Sequence, residues 1–260
     1  MPGFRERFPA PKPVIGVIHL PALPGYPESP GLAAVVAHAL AELATYRVGG
    51  LDGVLVENEN DQPHRVAAGR ETIAAMTAVT RELVAAAGSL PVGVEILLND
   101  PEASLAVAMA AGAGFIRTDY FVDEMSRPEH GPMRIAPEAV MAYRAGIGAG
   151  RVLLLADVQV KYAQMVAPRT LAESAGSARA AGADAIVVTG TRTGEPPSAD
   201  ELRAAREGAG DCPVLVGSGF DAGNAGALLA LADGAIIGTS LMREGRATTE
   251  QVSALNAARA

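Results

Sequence analysis

Short apolar runs alternate with longer amphipathic or alanine-rich stretches along almost the whole chain, and glycine, proline or a capping residue punctuates each change. Residues 14–20, 53–58, 91–98, 115–119, 151–157 (continuing to 161), 185–190, 214–220 and 235–240 read as eight strands, the first apolar enough for burial on both faces. Helical patterns fill the intervals: 32–48, 67–87, a segment with Asp100 as N-cap and Pro101 at its first position, 136–149, 170–181, a segment opened by the capping box Ser198-Ala-Asp-Glu201, 221–231 and 246–258. Residues 1–12, rich in proline, read as an extended lead-in, and 120–134 as the longest irregular stretch, placed where a lid would sit. Strict alternation with right-handed crossovers predicts a single-domain (β/α)8 TIM barrel over residues 13–260. A doubly wound open sheet is the alternative, but no G-x-G-x-x-G follows the first strand to support it.

Composition narrows the partners. The chain has 260 residues, the usual size of one such barrel. A net charge of -8 without a basic run, 4% aromatic residues and no tryptophan argue against a nucleic-acid polymer as partner. No window is long and apolar enough to span a membrane, and the start lacks a signal-peptide pattern, so a cytoplasmic protein is expected. The single cysteine, Cys212, excludes an internal disulfide and reads as a packing residue. Barrels commonly associate, so a homo-oligomer is among the expectations.

In a barrel the chemistry sits at the carboxyl ends of the strands, and here those ends are polar. They present His19, Glu57 with Asn58, Glu95 with Asn99, Arg117 with Asp119, Asp157 with Gln159 and Lys161, Thr189 with Thr191, and Ser218. Period-two alternation places Glu95 with Asn99, and Asp157 with Gln159 and Lys161, on common faces. His19 could act on a substrate or only hydrogen-bond across a strand end. Glu57 and Asp157 either reach the mouth or form structural ion pairs, and Arg117 is either their partner or a substrate clamp. Lys161, one of only two lysines, could serve as a base or form an imine where arginine could not; ion pairing or phosphate contact is its other role.

Two adjacent strand ends carry glycine and hydroxyl residues, Gly217-Ser-Gly219 and Gly238-Thr-Ser240. The glycines could merely permit tight turns, but two such ends at strands seven and eight match the anion site of phosphate-binding barrels, with Gly217, Ser218, Gly219, Gly238, Thr239 and Ser240 as ligands. No cofactor is required by the sequence; Glu57, Glu95, Asp119 and Asp157 could hold magnesium, although their spacing on different strands does not show that they converge.

The run Val14-Ile-Gly-Val-Ile-His-Leu-Pro-Ala-Leu-Pro-Gly-Tyr-Pro27 resembles the opening signature of the BtpA family of barrel proteins. The resemblance continues through Asp52-Gly-Val-Leu-Val-Glu-Asn58, Leu97-Leu-Asn-Asp100, Phe115-Ile-Arg117, Ala156-Asp-Val-Gln-Val-Lys161, Thr193-Gly-Glu-Pro196, Val214-Leu-Val-Gly-Ser-Gly219 and Ala232-Asp-Gly-Ala-Ile-Ile-Gly-Thr-Ser240. It implies a TIM-type barrel with a phosphate site. The chain departs from the family's usual pattern at Glu95, Leu98, Thr118-Asp119 and Tyr162, and two of these changes add carboxylates to the mouth.

Three functions follow. The first is an enzyme that holds a phosphorylated sugar or nucleotide by its phosphate and breaks or transfers a glycosidic bond with the mouth carboxylates; aldol or isomerase chemistry through Lys161 or a carboxylate is its enzymatic alternative. The second is a non-catalytic assembly or stability factor, as the family's link to photosystem I biogenesis implies. The third is a regulator that binds a sugar phosphate without turnover.

Overall fold

Period-two packing of the apolar runs closes them into a cylinder, seen in a computed structural model that describes residues 3–134 and 136–259. The strands are β1 Val14–His19, β2 Gly53–Glu57, β3 Val92–Glu95, β4 Phe115–Thr118, β5 Leu153–Val158, β6 Ala185–Val188, β7 Val214–Val216 and β8 Gly234–Ile237. All pair in parallel with their sequence neighbours, and β8 closes on β1 through the registers Val14↔Ala235, Ile15↔Ile236 and Gly16↔Ile237. The helices are α1 Leu32–Gly49, α2 Arg70–Ala87, α3 Pro101–Ala111, α4 Pro137–Gly146, α5 Leu171–Ala180, α6 Ala199–Ala209, α7 Ala225–Leu229 and α8 Thr249–Arg259. The chain is therefore the closed (β/α)8 barrel that the alternation predicts. Asp100 caps α3 by accepting from the Ala103 N–H at 2.9 Å, and Ser198 with Glu201 forms the expected capping box of α6.

Alternate strand residues divide into two cores. Ile18, Val54, Val56, Val94, Ile116, Leu154 and their equivalents face the helices, whereas Ile15, Val17, Leu55, Phe115, Leu155, Val187, Leu215 and Ile236 fill the barrel. The inward set continues, two residues at a time, into the polar residues at the mouth. Strand alternation thus decides which functional side chains meet.

The lead-in is not extended. Phe4–Arg7 forms one helical turn, and Phe4 and Phe8, four apart and hence on one face, insert into the base of the barrel. The Phe8 ring meets Phe115 edge-on at 5.3 Å, in space left by glycine at 53: a Cβ there would lie 2.8 Å from Phe8. Proline content suggested an extended arm, and burial of the two phenylalanines overrode it.

The segment 120–134 is likewise ordered rather than irregular. Met125–Arg127 and Gly131–Met133 form a hairpin, which Gln164–Met165 from the loop after β5 extends to three antiparallel strands. Its apolar side packs Met125 and Met133 against Leu98, Tyr120 and Val160. Strands of two or three residues are too short to leave a periodic signal. Near the other end, Arg246–Ala247 pairs with Met242–Arg243, so the last helix starts later than the sequence pattern implies.

Cys212 is buried with its Sγ 3.6 Å from the Ala183 carbonyl oxygen, and burial pushes its thiol up to about 11. That environment suits packing rather than nucleophilic chemistry. Among the described residues, no helix is long and apolar enough to cross a membrane.

Candidate active site

The top inward layer of the barrel consists of His19, Glu57, Glu95, Arg117, Asp157, Thr189, Gly217 and Gly238, each two positions beyond an interior residue of its strand. Register brings the first three side by side, with His19 opposite Glu57 and Glu57 opposite Glu95. Arg117 stands at their centre. Its Nε and Nη2 each donate at 2.8 Å to one oxygen of Asp157, a side-on bidentate pair, and its Nη1 lies 3.4 Å from Glu57 and 3.7 Å from Glu95. The other oxygen of Glu57 is 3.7 Å from His19 Nε2.

Arg117, Glu57, Glu95 and Asp157 are each no more than 5% exposed. Burial acts against the guanidinium, but Asp157, Glu95 and Glu57 together hold it firmly protonated. Glu95 is pushed well above the usual carboxylate range by burial, a trend that Arg117 resists and Asp119 and Glu57 reinforce. Asp119, half-buried on the position after β4, is pushed up to about 7 by burial and then by Asp157, against the opposing charges of Arg117 and Lys161. The mouth therefore contains an acid poised to give up its proton near neutrality. Arg117 is thus ion-paired with three carboxylates, one of the two roles open to it in the sequence, and it also lines the cavity beside them.

Beside this layer lies a cavity of 120 Å³ bounded by His19, Glu57, Lys161 and the loops after β6, β7 and β8. Among the described residues, the backbone amides of Ser218, Gly219, Phe220, Thr239 and Ser240, all on its wall, donate to no protein oxygen. Five free N–H groups around one cavity form a nest in which an anion could sit. Its glycines are needed for shape. Gly219 is left-handed, with φ of +62°, and a Cβ on Gly238 would lie 3.1 Å from the His19 ring.

The hydroxyls of the nest behave differently from the sequence expectation. Ser218 Oγ donates to the Glu195 carbonyl and accepts from the Gly190 N–H, both at 2.7 Å, and Ser240 Oγ donates to the Phe220 carbonyl at 2.7 Å. With their single protons committed, these two side chains brace the loops and cannot also donate to an anion; their amides can. Thr239 retains a hydroxyl free of protein partners among the described residues. Ser218→Ala is accordingly expected to lower the unfolding free energy by about 1–2 kcal/mol in urea denaturation, with phosphate affinity, read by calorimetric titration, changing by less than about threefold.

Several other candidates lie away from the cavity. Asn58 faces outward and exchanges hydrogen bonds with Leu97 and Asp61, fastening the loops after β2 and β3. Asn99 does not share a face with Glu95, because β3 ends at Glu95; it is half-buried, and its Oδ1 has no partner among the described residues. Gln159 adopts a left-handed backbone, φ 48°, which breaks the alternation expected from Asp157 to Lys161. Its amide group donates to Arg169 and Ser174, bracing α5. The same break turns Lys161 toward the cavity, where it has no carboxylate within 4 Å among the described residues. Thr189 accepts from the Lys161 N–H at 3.2 Å, and the exposed Thr191 donates to Glu195.

Glu59, Thr193, Gly194, Phe220 and Asp221 line the cavity without having stood out in the sequence. Glu59, on the rim, is two positions past Glu57, and continued alternation would have found it; partial desolvation and the Glu57 charge raise its carboxyl, against His19, His64 and Lys161. Thr193 and Gly194 come from the loop after β6, held in place by the Thr193 N–H donating to Tyr162 Oη at 2.9 Å.

A wider hollow of 880 Å³ lies at the opposite end of the barrel, lined by Arg7, Arg151, Leu90 and Pro91. It gathers no set of catalytic groups, and the smaller cavity at the strand carboxyl ends is the candidate site. Among the described residues no three His, Cys, Asp or Glu side chains are arranged to hold a metal; of the four carboxylates considered as magnesium ligands, Glu57, Glu95 and Asp157 converge on the Arg117 guanidinium.

The sequence profile described as the BtpA family matches residues 10–259. An uncharacterized protein of Archaeoglobus fulgidus is 37% identical over 241 residues, covering 93% of this chain and 96% of its own length. The protein of Synechocystis sp. named photosystem I biogenesis protein BtpA is 35% identical over 246 residues, covering 92% of this chain and 84% of the relative. Among solved structures, thiamine phosphate pyrophosphorylase from Pyrococcus furiosus superposes with a TM-score of 0.63 at 15% identity, over 97% of this chain and 96% of that one, a likeness of fold alone.

Proposed function

The chain belongs to the BtpA family, and from that premise we propose that it is an enzyme acting on a phosphorylated sugar or nucleotide at the glycosidic carbon. The observation that carries the reading is the placing of five free amides on the wall of a cavity that also presents His19, Glu57 and Lys161. A space of 120 Å³ accommodates a phosphate, since a water takes about 30 Å³, while a sugar ring must lie outside it in the open mouth. The fold's likeness to a barrel whose name includes a phosphorylated compound agrees with this reading.

In the proposed reaction the nest binds the phosphate and positions C1 above the inward layer. Asp119 gives its proton to the leaving group as the C1 bond breaks, and the Glu57 carboxylate stabilises the positive charge that develops on the ring. Water, or another acceptor, then adds at C1 and loses its proton to the Glu57–His19 pair. Arg117 fixes Glu57 in place.

The test is incubation with a panel of nucleoside monophosphates and pentose and hexose phosphates, with mass spectrometry of the products. Release of a base or transfer of a sugar phosphate is the expected result, and binding of none of the panel would sink the proposal. Lys161 supports a second reading, because its ammonium lines the cavity without a carboxylate within 4 Å among the described residues. Borohydride trapping of a sugar phosphate on Lys161 would establish imine chemistry instead. A purely assembling role predicts neither outcome, and predicts that folded variants of Glu57 keep full biological activity.

A further inference from the structure

The charges around the nest discriminate among phosphate esters. Glu57, Glu59 and Asp221 border the cavity, Glu95 and Asp157 lie in the layer beside it, and Asp119 follows on the end of β4. Two cationic side chains face these six carboxyl groups. Arg117 is committed, since Asp157 takes two of its nitrogens and Glu57 and Glu95 crowd the third. Lys161 is then the cation left for a bound phosphate. A second anionic group on the same ligand would enter a region whose remaining charges are carboxylates, while a cationic group there would find partners.

We propose that the site selects phosphate monoesters whose other end is neutral or cationic, such as an amino sugar phosphate or a substrate with a protonated nitrogen leaving group, and rejects bisphosphates and phosphorylated acids. The inference rests on the phosphate occupying the nest. Glu59 is the specificity-determining residue. It sits exposed on the rim, and its carboxylate has no hydrogen bond or ion pair among the described residues, so its charge can be removed without disturbing the Arg117 cluster.

Three small esters that differ only in the charge of the second group separate the two layers of the argument: ethyl phosphate, phosphoethanolamine and phosphoglycolate. Calorimetric titration of the whole protein is expected to give phosphoethanolamine about tenfold tighter, and phosphoglycolate about tenfold weaker, than ethyl phosphate, the effect of a unit charge several ångströms away in a partly screened site. Glu59→Gln is expected to shrink both ratios by about threefold or more and, because it takes a negative charge off the cavity wall, to bind ethyl phosphate no more weakly than the wild type. Ethyl phosphate binding with three equal affinities, or ratios untouched by Glu59→Gln, would overturn charge selection while leaving the phosphate site standing. Absence of binding by all three esters would overturn the phosphate site and the inference together.

Discussion

Arg117→Met is expected to lower the unfolding free energy by about 3–5 kcal/mol near neutral pH, the cost of leaving buried charges without their partner. The substitution preserves much of the side-chain volume, so the loss reports on charge rather than on a cavity. Glu57, Glu95 and Asp157 would stay enclosed, and Asp157 would lose both halves of its bidentate pair. Without the guanidinium that resists it, burial raises the Glu95 carboxyl still further above its value in the unfolded chain. A carboxyl raised by folding contributes stability that is complete below its unfolded pKa and is lost as pH rises through its folded pKa. The deficit should therefore be smallest near about pH 4 and widen toward the alkaline side. Urea titrations of both proteins across this range measure it. Equal midpoints at neutral pH would mean that the cluster contributes no net stability, and a deficit independent of pH would assign the loss to packing.

Asp119→Asn is expected to reduce kcat by about 10²–10⁴-fold at neutral pH, the usual contribution of a positioned general acid, with little change in KM because the phosphate nest is untouched. The wild-type rate should fall as pH rises through about 7, where Asp119 loses its proton, and that limb should vanish in the variant. Stability gives an independent readout. The folded carboxyl is raised to about 7 from the ordinary 3.8, so its contribution is complete below the unfolded value and disappears as pH climbs through 7. Asparagine carries no such penalty. The variant should unfold at a higher temperature than wild type in alkaline buffer, with no gain in acid. If the thermal difference appears without a change in kcat, Asp119 is a strained carboxyl outside the reaction.

The order of strands and most of the inward layer could be read from the sequence because two simple rules coincide: strand and helix alternate, and every second residue of a barrel strand points inside. These rules place His19, Glu57, Glu95, Arg117 and Asp157 at one level. They cannot give the identity of the central group. That the Arg117 guanidinium gathers the carboxylates follows from register between strands far apart in the chain. Alternation also fails where the backbone leaves the extended region. Gln159 turns left-handed, so Lys161 reaches the cavity while the Gln159 side chain does not. The serines misled for a different reason: a hydroxyl beside a phosphate-type glycine can as readily brace the loop as bind the anion, and only its partners decide.

The aromatic stopper at the base of the barrel bears on the order in which the chain assembles. Phe4 and Phe8 occupy a floor whose walls include Leu55, Phe115, Leu155, Leu215 and Ile236, residues drawn from the beginning, middle and end of the sequence. During synthesis the two phenylalanines leave the ribosome before any wall exists, and that floor is complete only after β8 has closed on β1. Residues made before every wall of their site are thus among the last to find their place, and their seating marks the completed circle.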